Sequence, residues 1–335
     1  MSESTWAVPE SRTFTFDEPV TKVQVRVVNG TVNVVGTEES SSRLEISSVD
    51  GPPLIVTRNG STLTVAYEDL AWRGFLKWLD RKGWNRKAVV SLAVPAGADV
   101  EVGTVGAGAV VSGIRGRTEV RGVSGDATLL KLSGPVRAET VTGHVEAQAV
   151  TGDVHFKSVS GHLTVVEGAG ATVTAESVSG DMLLDLDPGA KATDVRLTTV
   201  SGEVAIRLPH PADARVEATS ASGAVSSAFE DLRVGGQWGT KSITGTLGAG
   251  NGTLRATTVS GSITLLRRPA DEEAPFEDTP PDGWVPGGSA PGASSPGGPP
   301  SPANDQPGSA SSAGSAGSTD STGSTGSTGS TKKVL

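Results

Sequence analysis

The chain has 335 residues, with no Cys, one Tyr, 44 Gly, 20 Pro and a formal net charge of −9. The absence of thiols excludes disulfides, Cys nucleophiles and Cys-ligated zinc or iron–sulfur centres. The acidic balance argues against a general nucleic-acid binder, which needs a basic surface. The N-terminal stretch MSESTWAVPESRTF has neither a basic n-region nor an apolar h-region. No stretch reaches the roughly 18 apolar residues of a membrane-spanning helix. A cytoplasmic protein, peripheral to a membrane at most, is the expectation.

Residues 12–70 alternate apolar and polar side chains in short runs: Val20 to Val28, Thr31 to Val35, Leu44 to Ser48, Leu54 to Arg58 and Leu63 to Tyr67. A period of two is the signature of half-buried strands. Asn29-Gly30 and Asn59-Gly60 have the chemistry of two-residue hairpin turns. This region is therefore expected to be an antiparallel β cap that blunts one edge of the sheet that follows.

Residues 71–87, AWRGFLKWLDRKGWNRK, break the β pattern. Trp72, Phe75, Leu76 and Leu79 fall at i, i+3, i+4 and i+7, one face of a helix, and Trp78 adds a further aromatic. Arg73, Lys77 and Arg81 lie on the other side. The combination of an apolar stripe and a basic flank points to a protein partner or an anionic membrane surface. A lid over the end of the fold has the same pattern.

Residues 88–268 are a repeat. After a strand over Ala88 to Val94, a Ser-Gly or Thr-Gly pair recurs with Gly at 125, 134, 143, 152, 161, 180, 202, 223, 245 and 261. Apolar residues stand two before and two after each Gly. Val111-Ser112-Gly113 is a partial earlier copy, broken by Arg115. Each unit reads as a turn and a short strand. In Thr151-Gly152-Asp153-Val154-His155-Phe156-Lys157, Val154 and Phe156 face inward, His155 and Lys157 outward. The glycine is expected to supply positive φ, and the hydroxyl before it a hydrogen bond to the turn.

Two nine-residue units make one coil, and the later, longer steps between glycines each span a whole coil. A second turn signal lies within those steps, at Glu167-Gly168-Ala169-Gly170, Asp187-Pro188-Gly189, Pro209-His210-Pro211 and Gly235-Gly236. Stacked coils would sit about 4.8 Å apart and fill a narrow interior with columns of valine. The fold class is all-β: a β-solenoid like a parallel β-helix, with a β-sandwich or β-prism as the alternative. Residues 269–335 hold 12 Gly, 11 Pro and a net charge of −6, the composition of a disordered tail.

The Val-Ser-Gly-Asp/Glu-Val units resemble the bacterial putative-adhesin family of β-strand-repeat proteins, a domain of largely unknown function. Val178-Ser179-Gly180-Asp181, Val200-Ser201-Gly202-Glu203-Val204 and Val259-Ser260-Gly261-Ser262-Ile263 carry the resemblance, which covers residues 20–268. It implies a non-enzymatic binding or scaffold role linked to envelope stress. The alternatives are a β-helical polysaccharide lyase or hydrolase, which needs an outward pair of carboxylates, and a solenoid that polymerises end to end, which needs an uncovered coil end. Asp126, Asp153, Asp181 and Glu203 follow the corner glycines and read as turn residues rather than catalysts. No cofactor motif is present. The one metal lead is His144 and His162, two repeat units apart, with Asp126 and Asp181 beyond them. That set could hold zinc if successive coils bring it together.

Overall fold

A computed structural model describes residues 3–68, 85–187, 194–237 and 239–269. The chain opens with strands β1 (Glu3–Val8), β2 (Arg12–Phe16), β3 (Lys22–Val27) and β4 (Asn29–Thr37). Next come β5 (Ser42–Asp50), β6 (Leu54–Asn59), β7 (Thr62–Ala66) and β8 (Lys87–Pro95). From there the strands come in pairs, one in each of two sheets. These are β9 (Asp99–Thr104) with β10 (Gly108–Ser112), β11 (Thr118–Gly122) with β12 (Ala127–Leu130), and β13 (Val136–Thr140) with β14 (Val145–Gln148). They continue with β15 (Val154–Ser158) and β16 (Leu163–Gly168), β17 (Thr172–Glu176) and β18 (Met182–Leu186), β19 (Asp194–Thr199) and β20 (Val204–Leu208). The final strands are β21 (Ala214–Ser220), β22 (Val225–Ser227), β23 (Arg233–Gln237), β24 (Thr240–Leu247), β25 (Gly252–Thr258) and β26 (Ile263–Arg267).

Among the described residues two sheets face each other, one of 14 strands and one of 12. Each coil crosses from the first sheet to the second, and every coil pairs in parallel with the next, giving the expected β-solenoid. Register is kept by the alternation of side chains. Val120 lies beside Ala138, Ala138 beside Phe156, and Phe156 beside Ala175. Phe156 is fully buried, and Val154 with it, whereas His155 and Lys157 are partly exposed. Alanine on both sides of Phe156 makes room for its ring in a column that also holds Val102, Val120 and Leu197; close packing requires this exchange of volume.

The coil corners explain the glycines, though not by the expected route. Most corner glycines do not have positive φ. They are small because the next coil passes too close. A Cβ on Gly143 would lie 2.1 Å from the Gly125 carbonyl oxygen, on Gly161 2.2 Å from that of Gly143, and on Gly180 2.1 Å from that of Gly161. The opposite corner has its own column. There Gly134 meets Gly116 at 2.2 Å and Gly152 meets Gly134 at 1.9 Å. The spacing of the repeat thus alternates between two corners of one coil. Gly116, which follows Ile114, is the earlier copy in register, rather than Gly113.

Positive φ also recurs at a separate bend, on Gly113 (69°), Lys131 (52°), Ala149 (53°) and Glu167 (54°). These positions recur once per coil and are joined by ladder bonds such as Lys131 N–H to Gln148 O and Ala149 N–H to Val166 O. A left-handed bend therefore runs up the solenoid, and all its members but Gly113 have a Cβ.

Three expectations need correction. Asn29-Gly30 is a corner between sheets and not a hairpin: a Cβ on Gly30 would lie 1.9 Å from Ala88 O, and β3 and β4 belong to different sheets. The region 12–70 is therefore not wholly an antiparallel cap. β3 and β4 pair in parallel with β9 and β10, and β7 and β8 pair in parallel with β3 and β4. Only β1, β2, β5 and β6 are antiparallel cap strands; Asn59-Gly60 does turn the β6–β7 hairpin. Lastly, Gly235-Gly236 lies in β23 and Gly245 in β24, so neither is a coil corner. Asp187-Pro188-Gly189 and the tail 269–335 fall, beyond their first residues, outside the described residues.

The last coil is out of order. β25 and β26 sit between β19/β20 and β21/β22, parallel to both neighbours. The chain skips one level, builds β21 to β24, and returns to fill the gap.

Two substitutions at corners should have opposite signs. Gly152→Ala forces a Cβ against backbone and should cost about 2 kcal/mol or more. Lys131→Gly relieves a left-handed residue and should stabilise by about 0.5 kcal/mol or more, net of unfolded-state entropy. Phe156→Ala should cost about 3–5 kcal/mol. Urea denaturation of the three variants reads all of these, and a stabilising Gly152→Ala would refute the close-approach account.

Candidate functional site

The corner motif is longer than Ser-Gly. At one of the two corners a second hydroxyl stands three residues before the glycine and accepts its N–H: Thr140 Oγ1 from Gly143 at 3.0 Å, Ser220 Oγ from Gly223 at 2.8 Å and Thr258 Oγ1 from Gly261 at 3.0 Å; at the opposite corner Lys131 and Ala149 hold that place before Gly134 and Gly152. The hydroxyl next to the glycine reaches the neighbouring coil instead, as from Thr142 Oγ1 to Val123 O at 3.1 Å. The residue after the glycine does the same on the other side. Asp126 Oδ1 accepts the N–H of His144 at 2.9 Å, Asp153 Oδ1 that of Thr172 at 3.0 Å, and Asp181 Oδ1 that of Glu203 at 2.7 Å. These carboxylates tie coils together, as turn chemistry requires.

His144 and His162 do stack, with ring centroids 4.7 Å apart and planes 25° off parallel. Their column does not build a metal centre. His162 Nδ1 accepts the Asp181 N–H at 3.0 Å, so that lone pair is engaged. Zinc ligands must converge to about 2.0–2.2 Å from one point, whereas stacked rings stay a coil apart. Among the described residues no group of three or more side chains is placed to hold a metal ion.

The valine two before the glycine was expected to fill the interior. On one corner it does: Ile114, Leu132 and Val150 are buried. On the other the column changes character. Val105 and Val123 are buried, while Val159, Val178, Val200 and Val259 are 47% to 52% exposed. The result is an apolar ridge four coils long, flanked by small hydroxyls.

The outward face of the larger sheet is a charge ladder. Lys22 pairs with Glu101 at 2.6 Å, Arg121 with Glu119 and Glu139, Lys157 with Glu176 at 3.0 Å, and Arg255 with Glu217 at 3.2 Å. Arg196 breaks the pattern. It lies between Thr174 and Arg255 in the ladder, so its neighbour in the next coil is a second guanidinium. Shallow clefts of about 350 Å³ and about 300 Å³ lie on either side, lined by Thr172, Thr174, Asp194 and Thr253 and by Thr198, Glu217, Thr219 and Thr257 respectively. Sequence reasoning missed this pair, because Arg196 and Arg255 are remote along the chain and become neighbours only through the out-of-order coil.

On the smaller sheet Asp185 is buried at 2% exposure, against Arg207 and, at 3.5 Å, Arg268. It holds the sheet near its C-terminal end. Trp72, Arg73, Phe75, Leu76, Lys77, Trp78, Leu79 and Arg81 lie outside the described residues.

Burial pushes the His155 imidazole below its ordinary range, and Arg137 and Lys157 beside it add to the shift, against Glu176 and Glu139. The folded state thus binds this proton less readily than the unfolded chain does. Stability is unaffected by His155 above its unfolded pKa and falls as the pH drops below about 6.5. His155→Thr should remove part of that loss between about pH 6.5 and 5, seen as a smaller drop in the urea midpoint than in the unaltered protein.

Comparison with known proteins places the whole body in one family. The Toastrack DUF4097 family model matches residues 20–266, the span from the first coil to the last strand. The resemblance carried by the Val-Ser-Gly units is borne out. No curated protein matches the chain. Among solved structures, a putative cell adhesion protein from Clostridium sporogenes ATCC 15579 matches at 12% identity over 78% of this chain and 100% of its own, with a TM-score of 0.26.

Proposed function

The chain belongs to the Toastrack DUF4097 family, and we propose that it is a non-enzymatic, adhesin-like binding module serving envelope-related processes, with a rigid solenoid that displays rows of side chains to an elongated partner. One observation carries the reading. Arg196 and Arg255 stand side by side on the outward face among threonine hydroxyls, with shallow clefts on both sides. Shallow, hydroxyl-rich clefts with guanidinium groups suit a sugar polymer that carries acid groups, since each guanidinium offers paired donors to a carboxylate or phosphate. Of the two, Arg255 has a carboxylate partner among the described residues, Glu217, so Arg196 is the anchoring residue.

The same geometry weighs against the hydrolase or lyase alternative. The corner aspartates are engaged by backbone N–H groups, and Glu119 and Glu139 both face Arg121. A glycosidase keeps one carboxyl as a proton donor near a second, at about 5–9.5 Å. The anionic-membrane reading for residues 71–87 rests on their sequence; of that stretch, Arg86 lies among the described residues, where its carbonyl accepts the Asn29 N–H at 3.2 Å.

Polygalacturonate should bind the full chain and neutral dextran should not, with affinity falling as salt rises. Arg196→Ala should weaken binding about tenfold, a loss near 1.4 kcal/mol, without altering the melting temperature. Calorimetric titration that finds equal binding of both polymers, or an Arg196→Ala protein with unchanged affinity, would defeat this site. Cleavage of either polymer would defeat the non-enzymatic reading.

A further inference from the structure

The ends of the solenoid carry information that its faces do not. Among the described residues, β1 and β23 are the terminal strands of the larger sheet, and β2 and β22 those of the smaller. A terminal strand leaves one row of backbone N–H and C=O groups unpaired, and natural sheets usually protect such rows with Pro, Lys, bulges or covering loops. β23 has none of these on its own residues. Its sequence is Arg233-Val234-Gly235-Gly236-Gln237, all five exposed, and its pairing with β24 is unbroken in register. β1 likewise pairs without a bulge over Glu3–Val8.

Strand direction can be followed through the pairings. β7 runs parallel to the coils; β6 is antiparallel to β7, and β1 antiparallel to β6. β1 therefore runs with the coils again. At the other end β21 runs with the coils, β24 against them and β23 with them. Both outermost strands of the larger sheet point the same way. A second molecule stacked in the same orientation would meet the first through parallel strands, the pairing used throughout the body.

We propose that the protein assembles head to tail with copies of itself, β23 of one molecule adding as a parallel strand to β1 of the next. Side chains pick the register. Trp6 is opposite buried Val56, so Ser4, Trp6 and Val8 form the inward row of β1. Val234 is opposite buried Ile243, so Val234 and Gly236 form the inward row of β23. Placing Arg233 beside Glu3 sets Val234 beside Ser4 and Gly236 beside Trp6. That register matches three things together. Opposite charges become cross-strand neighbours. A glycine without a side chain stands next to the bulky indole. Val234, 54% exposed in the single molecule, faces a cleft of about 370 Å³ lined by Ser4, Trp6, Phe14, Phe16 and Arg58.

The two surfaces differ, so the contact is heterologous and does not close on itself; repeated, it gives an open filament. The larger sheet extends two strands, β24 and β23, past the end of the smaller one, so the larger sheet alone becomes continuous. The inference does not depend on what the side faces bind.

The test is sedimentation velocity with light scattering on the full chain, from low micromolar to near-millimolar concentration. The weight-average mass should climb past that of a dimer without a plateau. Val234→Lys and Arg233→Glu should each weaken association about tenfold or more. Glu3→Arg combined with Arg233→Glu should restore it, which a merely damaged fold could not do. Val234 and Arg233 are exposed, so melting temperatures should stay unchanged. A chain that remains monomeric throughout, a mass that levels off at the dimer, or variants that associate like the unaltered protein would each overturn the proposal. Loss of polymer binding at Arg196 with assembly intact would leave this inference standing and remove only the binding site.

Discussion

The spacing between coils governs the rest of the molecule. Parallel strands lie about 4.8 Å apart, and at the corners, where the chain bends from one sheet to the other, backbone approaches backbone at that distance with no room for a side chain. Two glycine columns meet the requirement, one through Gly125, Gly143, Gly161 and Gly180 and one through Gly116, Gly134 and Gly152. Because each corner is fixed, each coil repeats the one before, and interior, ridge and charge ladder all become columns. The polar groups of the bend are then satisfied vertically: Asp126, Asp153 and Asp181 accept from the next coil, and Thr142 donates to the previous one.

A stack of identical coils has no natural stopping point, and the two ends are finished differently. At the N-terminal end the chain reverses twice in each sheet, and Trp6, Phe14 and Phe16 cluster there, with Phe14 and Phe16 stacked at 6.1 Å. At the C-terminal end Phe229 and Leu232 are buried in the connection between β22 and β23. The skipped level filled by β25 and β26 joins the end to the body: β25 bonds to β19 on one side and to β21 on the other. Neither β21 nor β22 can reach its final parallel partners until residues 252–267 arrive, so the end forms through contacts distant in sequence, which are slow to close.

The coil architecture was legible because it is written in a period. Ser-Gly steps of nine, alternating Val and polar residues, and Gly where helices would fail all point to a solenoid, and Val154 and Phe156 turn inward as their alternation demands. What misled was inference from single residues. Asn29-Gly30 has hairpin chemistry, yet the neighbouring coil at Ala88 overrides it. Positive φ was assigned to the glycines that stand out in the sequence, while Lys131, Ala149 and Glu167 carry it, because ladder bonds to the adjoining coils fix the bend whatever residue is present. The hydroxyls of Thr140, Ser220 and Thr258, three before their glycines, escaped notice since their role appears only when the turn closes. The Arg196–Arg255 pair could not be found at all without knowing that β25 lies beside β19.

The contrast between a readable fold and a poorly readable function has a physical source. In the coils the inward side chains and the corner glycines are committed to stacking, and with them corner hydroxyls such as Thr142 and the aspartates after the glycine, Asp126, Asp153 and Asp181. Only the outward alternates and the exposed valines remain to meet other molecules. On most of the larger sheet those alternates neutralise one another, as Lys22 does with Glu101 and Lys157 with Glu176, and a neutralised ladder recognises little. Specificity must then come from where the ladder fails to cancel or where the stack ends. Arg196, set against Arg255 and threonines, is the first kind of place, and the edge of β23, terminal among the described residues, is the second. Both are created by the out-of-order coil, since inserting β25 brings the two arginines together and leaves β21 to support the overhanging β24–β23 hairpin. A single topological exchange in an otherwise uniform repeat thus accounts for both features.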